Sequence, residues 1–238
     1  MREFTAPDGA KIVVEVNSAE GNTLAVLMIH GFTGNVNEHI FYNAAQLWPK
    51  KGLDVWRISL YPGEIKGTRS MKTVTWAQNL GDINLVLKEM ANLYGKLFLV
   101  GHSMGGTQAV YVNDPKLGAK VLWDPSCDSN PSDVIEPELH PDYYTIDWVH
   151  IILAKKDYSH EAIAAAKYPA ERLTECQPPI FVIWSDENDR GWPQKTLKAK
   201  VVKIKGSDHC FNGEGNEKKL FSRTLNFFKK NAGNFEVA

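Results

Sequence analysis

The chain has few cysteines. Cys127, Cys176 and Cys210 are the only three in 238 residues, and they lie far apart. They form no C-x-x-C pair and no metal-ligand spacing with histidine. An odd, scattered set of this kind fits a reducing compartment better than a disulfide framework. An excess of either charge sign is also missing, since 27 Lys and Arg stand against 28 Asp and Glu. Nucleic acid and anionic membrane surfaces call for a basic face, so neither is expected as a partner. No apolar stretch is long enough to span a bilayer. The opening residues, Met1-Arg2-Glu3-Phe4-Thr5-Ala6-Pro7-Asp8-Gly9, lack the apolar stretch of a signal peptide. These absences together make the cytoplasm the expected location. No internal repeat and no low-complexity segment is present.

What is there is an ordinary globular composition, with 43% hydrophobic and 23% charged residues. That is enough apolar material for one domain spanning 1–238. Apolar runs recur at intervals. Lys11 to Asn17 reads as an opening strand. Leu24-Ala25-Val26-Leu27-Met28-Ile29 is continuous, as a strand buried on both faces should be. Leu53–Ile58, Leu97–Val100, Ala119–Trp123, Ile180–Trp184 and Val201–Ile204 read as further strands. Between them, helices are expected over Glu38–Lys50 and over Thr75–Tyr94, where Trp76, Leu80, Ile83, Leu87 and Met90 fall at helical spacing. Glu217–Lys230 is the last helix. Strands alternating with helices predict a doubly wound, mostly parallel α/β sheet. The segment 129–177 breaks that rhythm, is rich in aromatics, and contains one short helical stretch, Glu161–Lys167. Long connections of this kind are usually lids or binding loops, so it is expected to be a small inserted lid.

Gly101-His102-Ser103-Met104-Gly105 directly follows the Leu97–Val100 run and precedes helix-compatible residues. A strand, a tight turn carrying serine, and a helix present the hydroxyl above the sheet at the positive end of the helix. Glycines at 101, 105 and 106 remove side chains that would clash in such a turn. A serine needs a base, and the base needs an orienting acid. His209, in Gly206-Ser207-Asp208-His209-Cys210-Phe211 after the last strand, is expected to be the base. The acid should follow a strand. Asp189 is preferred, Asp186 is the runner-up, and Asp124, in Leu122-Trp123-Asp124-Pro125, is the third candidate. The developing oxyanion needs preorganised donors. These are expected from the backbone N–H of Met104 and that of Phe32, in the loop His30-Gly31-Phe32-Thr33-Gly34. His30 and His102 are read as loop braces.

Three motifs in order, each at the end of an expected strand, carry a resemblance. His30-Gly31-Phe32-Thr33-Gly34, Gly101-His102-Ser103-Met104-Gly105-Gly106 and His209 resemble the α/β-hydrolase superfamily along almost the full chain. Within it the chain looks like small carboxylesterases and monoacylglycerol-lipase-like enzymes. His30-Gly31-Phe32-Thr33-Gly34-Asn35 and Asp208-His209-Cys210-Phe211 also resemble bacterial cinnamoyl and feruloyl esterases. Two departures stand out. Ser185 replaces the glycine of a common G-x-x-D-x-x-V-P pattern. Tyr61-Pro62-Gly63-Glu64-Ile65-Lys66-Gly67 stands where many relatives carry Gly-His-Gly. The resemblance implies hydrolysis of small or aromatic carboxylic esters through an acyl-enzyme, with no cofactor and no metal. Its alternatives are a monoacylglycerol lipase or a thioesterase. A non-catalytic ligand-binding protein on the same scaffold is the alternative from another class.

Overall fold

None of the six residues of the run Leu24–Ile29 reaches solvent, and their parity explains why. Ala25, Leu27 and Ile29 pack into one core cluster, while Leu24, Val26 and Met28 pack into another. The alternation is that of a strand whose two faces are both covered. A computed structural model describes residues 1–62, 65–71, 74–126, 143–146, 151–154, 178–188 and 199–233. In chain order its elements are β1 (Arg2–Thr5), β2 (Lys11–Asn17), β3 (Leu24–Ile29), α1 (His39–Leu47), β4 (Leu53–Ser59), α2 (Trp76–Leu93), β5 (Lys96–His102) and α3 (Met104–Tyr111). They continue with β6 (Leu117–Trp123), β7 (Tyr143–Ile146), β8 (Ile151–Ala154), β9 (Ile180–Ser185), β10 (Lys200–Ile204) and α4 (Asn216–Asn231).

Eight strands form one sheet in the order β1-β2-β4-β3-β5-β6-β9-β10. The pairs β1–β2 and β2–β4 are antiparallel, and all the rest are parallel. Ile83, Val86, Leu87 and Met90 of α2, with Ala109 and Val110 of α3, cover one face. Ile40, Phe41, Ala44 and Ala45 of α1, with Leu220, Phe221, Leu225 and Phe228 of α4, cover the other. The doubly wound sheet expected from the strand–helix alternation is therefore present. The start of α2 is set locally by a capping box. Thr75 Oγ1 accepts from Gln78 N–H at 3.0 Å, and Gln78 Oε1 accepts from Thr75 N–H at 2.9 Å.

Two features differ from the sequence reading. β1 was not expected, because its four residues are mostly exposed and show no apolar face. It is held by pairing with β2. Within the segment 129–177, β7 and β8 form a two-stranded antiparallel sheet. The rest of that segment, including Glu161–Lys167, lies outside the described residues. Lys120 of β6 is completely buried. Its Nζ donates to the carbonyls of Val110 and Val112 and to Asn113 Oδ1. A cation is favoured there because those carbonyls lie at the negative end of α3. Among the described residues, no helix is long and apolar enough to cross a membrane.

The order β4-β3-β5 makes a topological switch point, since the chain leaves β3 for one neighbour and later returns to its other side. In open α/β sheets, ligands bind beyond the carboxyl ends of strands at such a point. The loops after β3, β5, β6 and β10 emerge at those ends.

Candidate active site

Ser103 joins β5 to α3 with φ 53° and ψ −124°. This conformation costs a non-glycine residue about 1–3 kcal/mol and persists only when its surroundings impose it. Those surroundings are close. A Cβ on Gly105 would lie 2.3 Å from the Ile29 carbonyl oxygen and 2.5 Å from that of His30. The first turn of α3 is thus pressed onto the end of β3, where only glycine fits. Likewise, a Cβ on Gly31 would lie 2.8 Å from Ser103 Cβ and 3.4 Å from its Oγ. Strain is concentrated in this region. Among the described residues, the non-glycine positions at positive φ are Thr33, Ser103, Asp124 and Phe211. One lies in each of the loops after β3, β5, β6 and β10.

His209 follows β10, and its Nδ1–H donates to Asp124 Oδ2 at 2.6 Å. The Asp124 side chain is 1% exposed. Oδ2 also accepts from Ser185 Oγ at 2.9 Å, and Oδ1 accepts from Ser185 N–H at 2.8 Å and Asn188 Nδ2 at 3.3 Å. Burial alone would push its pKa up. The interactions with His209 and Ser185 outweigh burial and hold it below the ordinary carboxylate range. Asp124 is therefore an ionised, preoriented partner for the imidazole.

The acid candidates separate accordingly. Asp124, ranked third on the sequence, is the carboxylate that meets His209. Asp186 Oδ2 instead accepts from Gly206 N–H at 2.9 Å, tying the ends of β9 and β10 together. Asp189 lies outside the described residues. The departure at Ser185 is the signal that could have raised Asp124 in the ranking. Where a glycine was expected, a side-chain hydroxyl is present, and it is bonded to Asp124.

His102 braces the histidine loop. Its Nε2–H donates to the His209 carbonyl at 2.8 Å, and the two rings lie 4.7 Å apart. On its other side, His102 Nδ1 is 3.7 Å from Glu38 Oε2. Burial would raise the Glu38 carboxyl, but His102, His30 and the Asn35 N–H lower it further, so it is held ionised. Nothing in the sequence reading singled out Glu38. Ser126 was missed as well. Its Oγ lies 3.3 Å from Ser103 Oγ, its N–H donates to the Ser103 carbonyl at 3.0 Å, and its own carbonyl accepts from Thr107 Oγ1 at 2.9 Å. Ser103 Oγ is thus turned to Ser126, and among the described residues no hydrogen bond joins it to His209. Catalytic hydrogen bonds are often unformed before substrate binds.

The loop after β3 is pinned at Gly31. Its carbonyl accepts from His30 Nδ1–H at 2.9 Å, Tyr61 O–H at 2.8 Å and Gly34 N–H at 3.1 Å. His30 Nε2 in turn accepts from Leu60 N–H at 3.1 Å. Burial lowers the His30 pKa, in keeping with a neutral ring that donates at one nitrogen and accepts at the other. Phe32 follows directly. Met104 opens α3, so its N–H is among the first-turn donors that no intrahelical carbonyl meets. Among the described residues, no group of three or more His, Cys, Asp and Glu side chains converges as metal ligands.

Comparisons with known proteins agree with this architecture. No curated protein matches the chain in sequence. Among solved structures, Est1E from Butyrivibrio proteoclasticus with ferulic acid bound superposes with a TM-score of 0.78. It is 18% identical, and the match covers 98% of this chain and 100% of that one. The esterase domain of a Rhodothermus marinus protein gives a TM-score of 0.71 at 14% identity, covering 96% and 97%. A structure of metagenome-derived lipolytic enzymes gives 0.68 at 18%, covering 95% and 100%. Identities this low speak for the fold alone. Residues 26–218, most of the chain, match the Alpha/beta hydrolase family, and the protein belongs to that family.

Proposed function

We propose that the protein is a serine esterase with Ser103 as nucleophile, His209 as base and Asp124 as the orienting acid. The observation that carries this reading is the 2.6 Å hydrogen bond from the His209 imidazole to the buried Asp124 carboxylate, beside a serine held at positive φ. A carboxylate that receives Nδ1–H leaves Nε2 with its lone pair, the tautomer a general base needs. Ser103 Oγ turns from Ser126, loses its proton to His209 Nε2 and attacks the ester carbonyl. The N–H groups of Phe32 and Met104 hold the oxyanion of the tetrahedral intermediate. His209 passes the proton to the leaving alcohol, and an acyl-Ser103 remains. Water then attacks under the same base and releases the acid. Asp124 stays ionised and stabilises the imidazolium.

Small or aromatic carboxylic esters are the proposed substrates. The similarity to a structure with bound ferulic acid makes methyl ferulate a sensible member of the first screen. That screen should also hold p-nitrophenyl esters of rising chain length, a monoacylglycerol and an acyl-CoA. Ser103→Ala is the decisive variant. It should lower kcat on p-nitrophenyl butyrate by about 10⁴-fold or more and abolish labelling by a fluorophosphonate. Wild-type protein that neither hydrolyses any ester nor takes the label would favour a binding protein on the hydrolase scaffold.

A further inference from the structure

We infer that Tyr61 is a positioning residue for the oxyanion-binding amide, an inference that rests on the esterase reading above. A trans peptide is planar, with its C=O and N–H pointing in opposite directions. The Gly31 carbonyl and the Phe32 N–H belong to the same peptide, so whatever orients the one orients the other. Three donors converge on that carbonyl: the His30 ring at 2.9 Å, the Tyr61 hydroxyl at 2.8 Å and the Gly34 N–H at 3.1 Å. The two side-chain donors are themselves fixed. His30 is 2% exposed and bonded to Leu60 N–H, and the Tyr61 ring packs edge-on against the His30 ring at 5.1 Å.

The same peptide borders the nucleophile, since the position of a Gly31 Cβ falls 2.8 Å from Ser103 Cβ. A glycine at 31 relieves that contact, but it also leaves the peptide free to rotate. A flipped peptide would present a carbonyl where the oxyanion must sit. Tyr61 and His30 oppose that flip by bonding the carbonyl on the side of β4. Hydrogen bonds on a carbonyl also polarise the N–H of its own amide. Tyr61 thereby both aims and strengthens the Phe32 donor. This gives a role to the segment in which Tyr61 replaces the Gly-His-Gly common in relatives.

The test is Tyr61→Phe, which removes one hydroxyl and keeps the ring against His30. Steady-state kinetics on p-nitrophenyl butyrate should show kcat reduced by about 2- to 10-fold, the value of one net hydrogen bond, with KM unchanged. The affinity for phenylboronic acid, whose tetrahedral adduct on Ser103 mimics the oxyanion, should fall by the same factor. The Phe32 amide proton should move upfield in the NMR spectrum as its peptide loses polarisation. Unchanged kcat and boronate affinity would overturn the inference, as would a loss expressed only in KM. Ser103→Ala, measured alongside, separates the two levels of the argument. Full activity in that variant sinks the esterase reading, whereas its inactivity beside a wild-type-like Tyr61→Phe sinks only the role of Tyr61.

Discussion

Asp124→Asn tests the geometry most sharply, because it changes one atom and no shape. Four donors point at the two carboxylate oxygens: His209 Nδ1–H, Ser185 N–H, Ser185 O–H and Asn188 Nδ2–H. An asparagine has one acceptor oxygen and a donating amide. If the amide replaces Oδ2, it faces His209 Nδ1 and imposes the tautomer protonated at Nε2, which cannot take the serine proton. If it replaces Oδ1, it meets the donors of Ser185 and Asn188, and a buried N–H is left unpaired. The first arrangement should cost about 10⁴-fold in kcat, by analogy with the same exchange in other triads. The second would cost about 1–3 kcal/mol of stability. Ester hydrolysis and fluorophosphonate labelling report the one, and thermal unfolding reports the other. Asp186→Asn should leave kcat within a few-fold of wild type, since Asp186 bonds Gly206 rather than His209. An Asp124→Asn enzyme with more than a tenth of wild-type kcat and unchanged thermal stability would refute the assignment. So would an Asp189→Asn variant that falls 10⁴-fold while Asp124→Asn does not.

Other expectations follow from the same contacts. Gly105→Ala should destabilise the fold by about 1–3 kcal/mol despite the better helix propensity of alanine, because the added methyl meets backbone that cannot yield; an unchanged melting temperature would contradict the packing described. Asp124 has its pKa lowered in the folded state, so its stabilisation is present above the unfolded value near 3.9 and is lost as pH falls through the lower folded value. Urea unfolding below pH 4 should therefore show a steeper loss of stability for wild type than for Asp124→Asn. Tyr94 runs the other way. Burial first, and then the Asp54 carboxylate that accepts its hydroxyl, push its pKa up to about 12. Its contribution is present below about pH 10 and is lost as pH rises towards 12, a decline that Tyr94→Phe should flatten in alkaline melts.

The sheet was legible because its central strands are apolar on both faces and its helices carry one-sided stripes, patterns that only a doubly covered sheet explains. β1 was not legible. Four mostly exposed residues gain their strand conformation from β2, and no local property of Arg2–Thr5 announces that partner. At the site, Ser103 and His209 were singled out through local motifs, a tight turn and a post-strand loop. Among the acid candidates, Asp124 was ranked only third for a physical reason. A carboxylate needs only to reach the histidine, and sequence alone does not say which loop brings one there. What marks Asp124 is the set of donors that gather around it from Ser185 and Asn188, residues more than sixty positions away. Glu38 and Ser126 escaped notice, and Tyr61 was named only as a departure, for the same reason, since each acts through a contact distant in sequence or through backbone groups that every residue type possesses.

The location of Asp124 has a consequence for how this scaffold can change. Strands β5 and β6 are hydrogen-bonded neighbours with His102 opposite Trp123, and the residues that follow them, Ser103 and Asp124, sit on one stiff ribbon. The Ser103 N–H bonds the Trp123 carbonyl, and the Ser126 N–H bonds the Ser103 carbonyl, so that ribbon is stitched beyond the strands themselves. On the proposed triad, nucleophile and acid both ride on that one ribbon, so changes in other loops of the same rim, natural or engineered, can reshape substrate choice while the two keep their register.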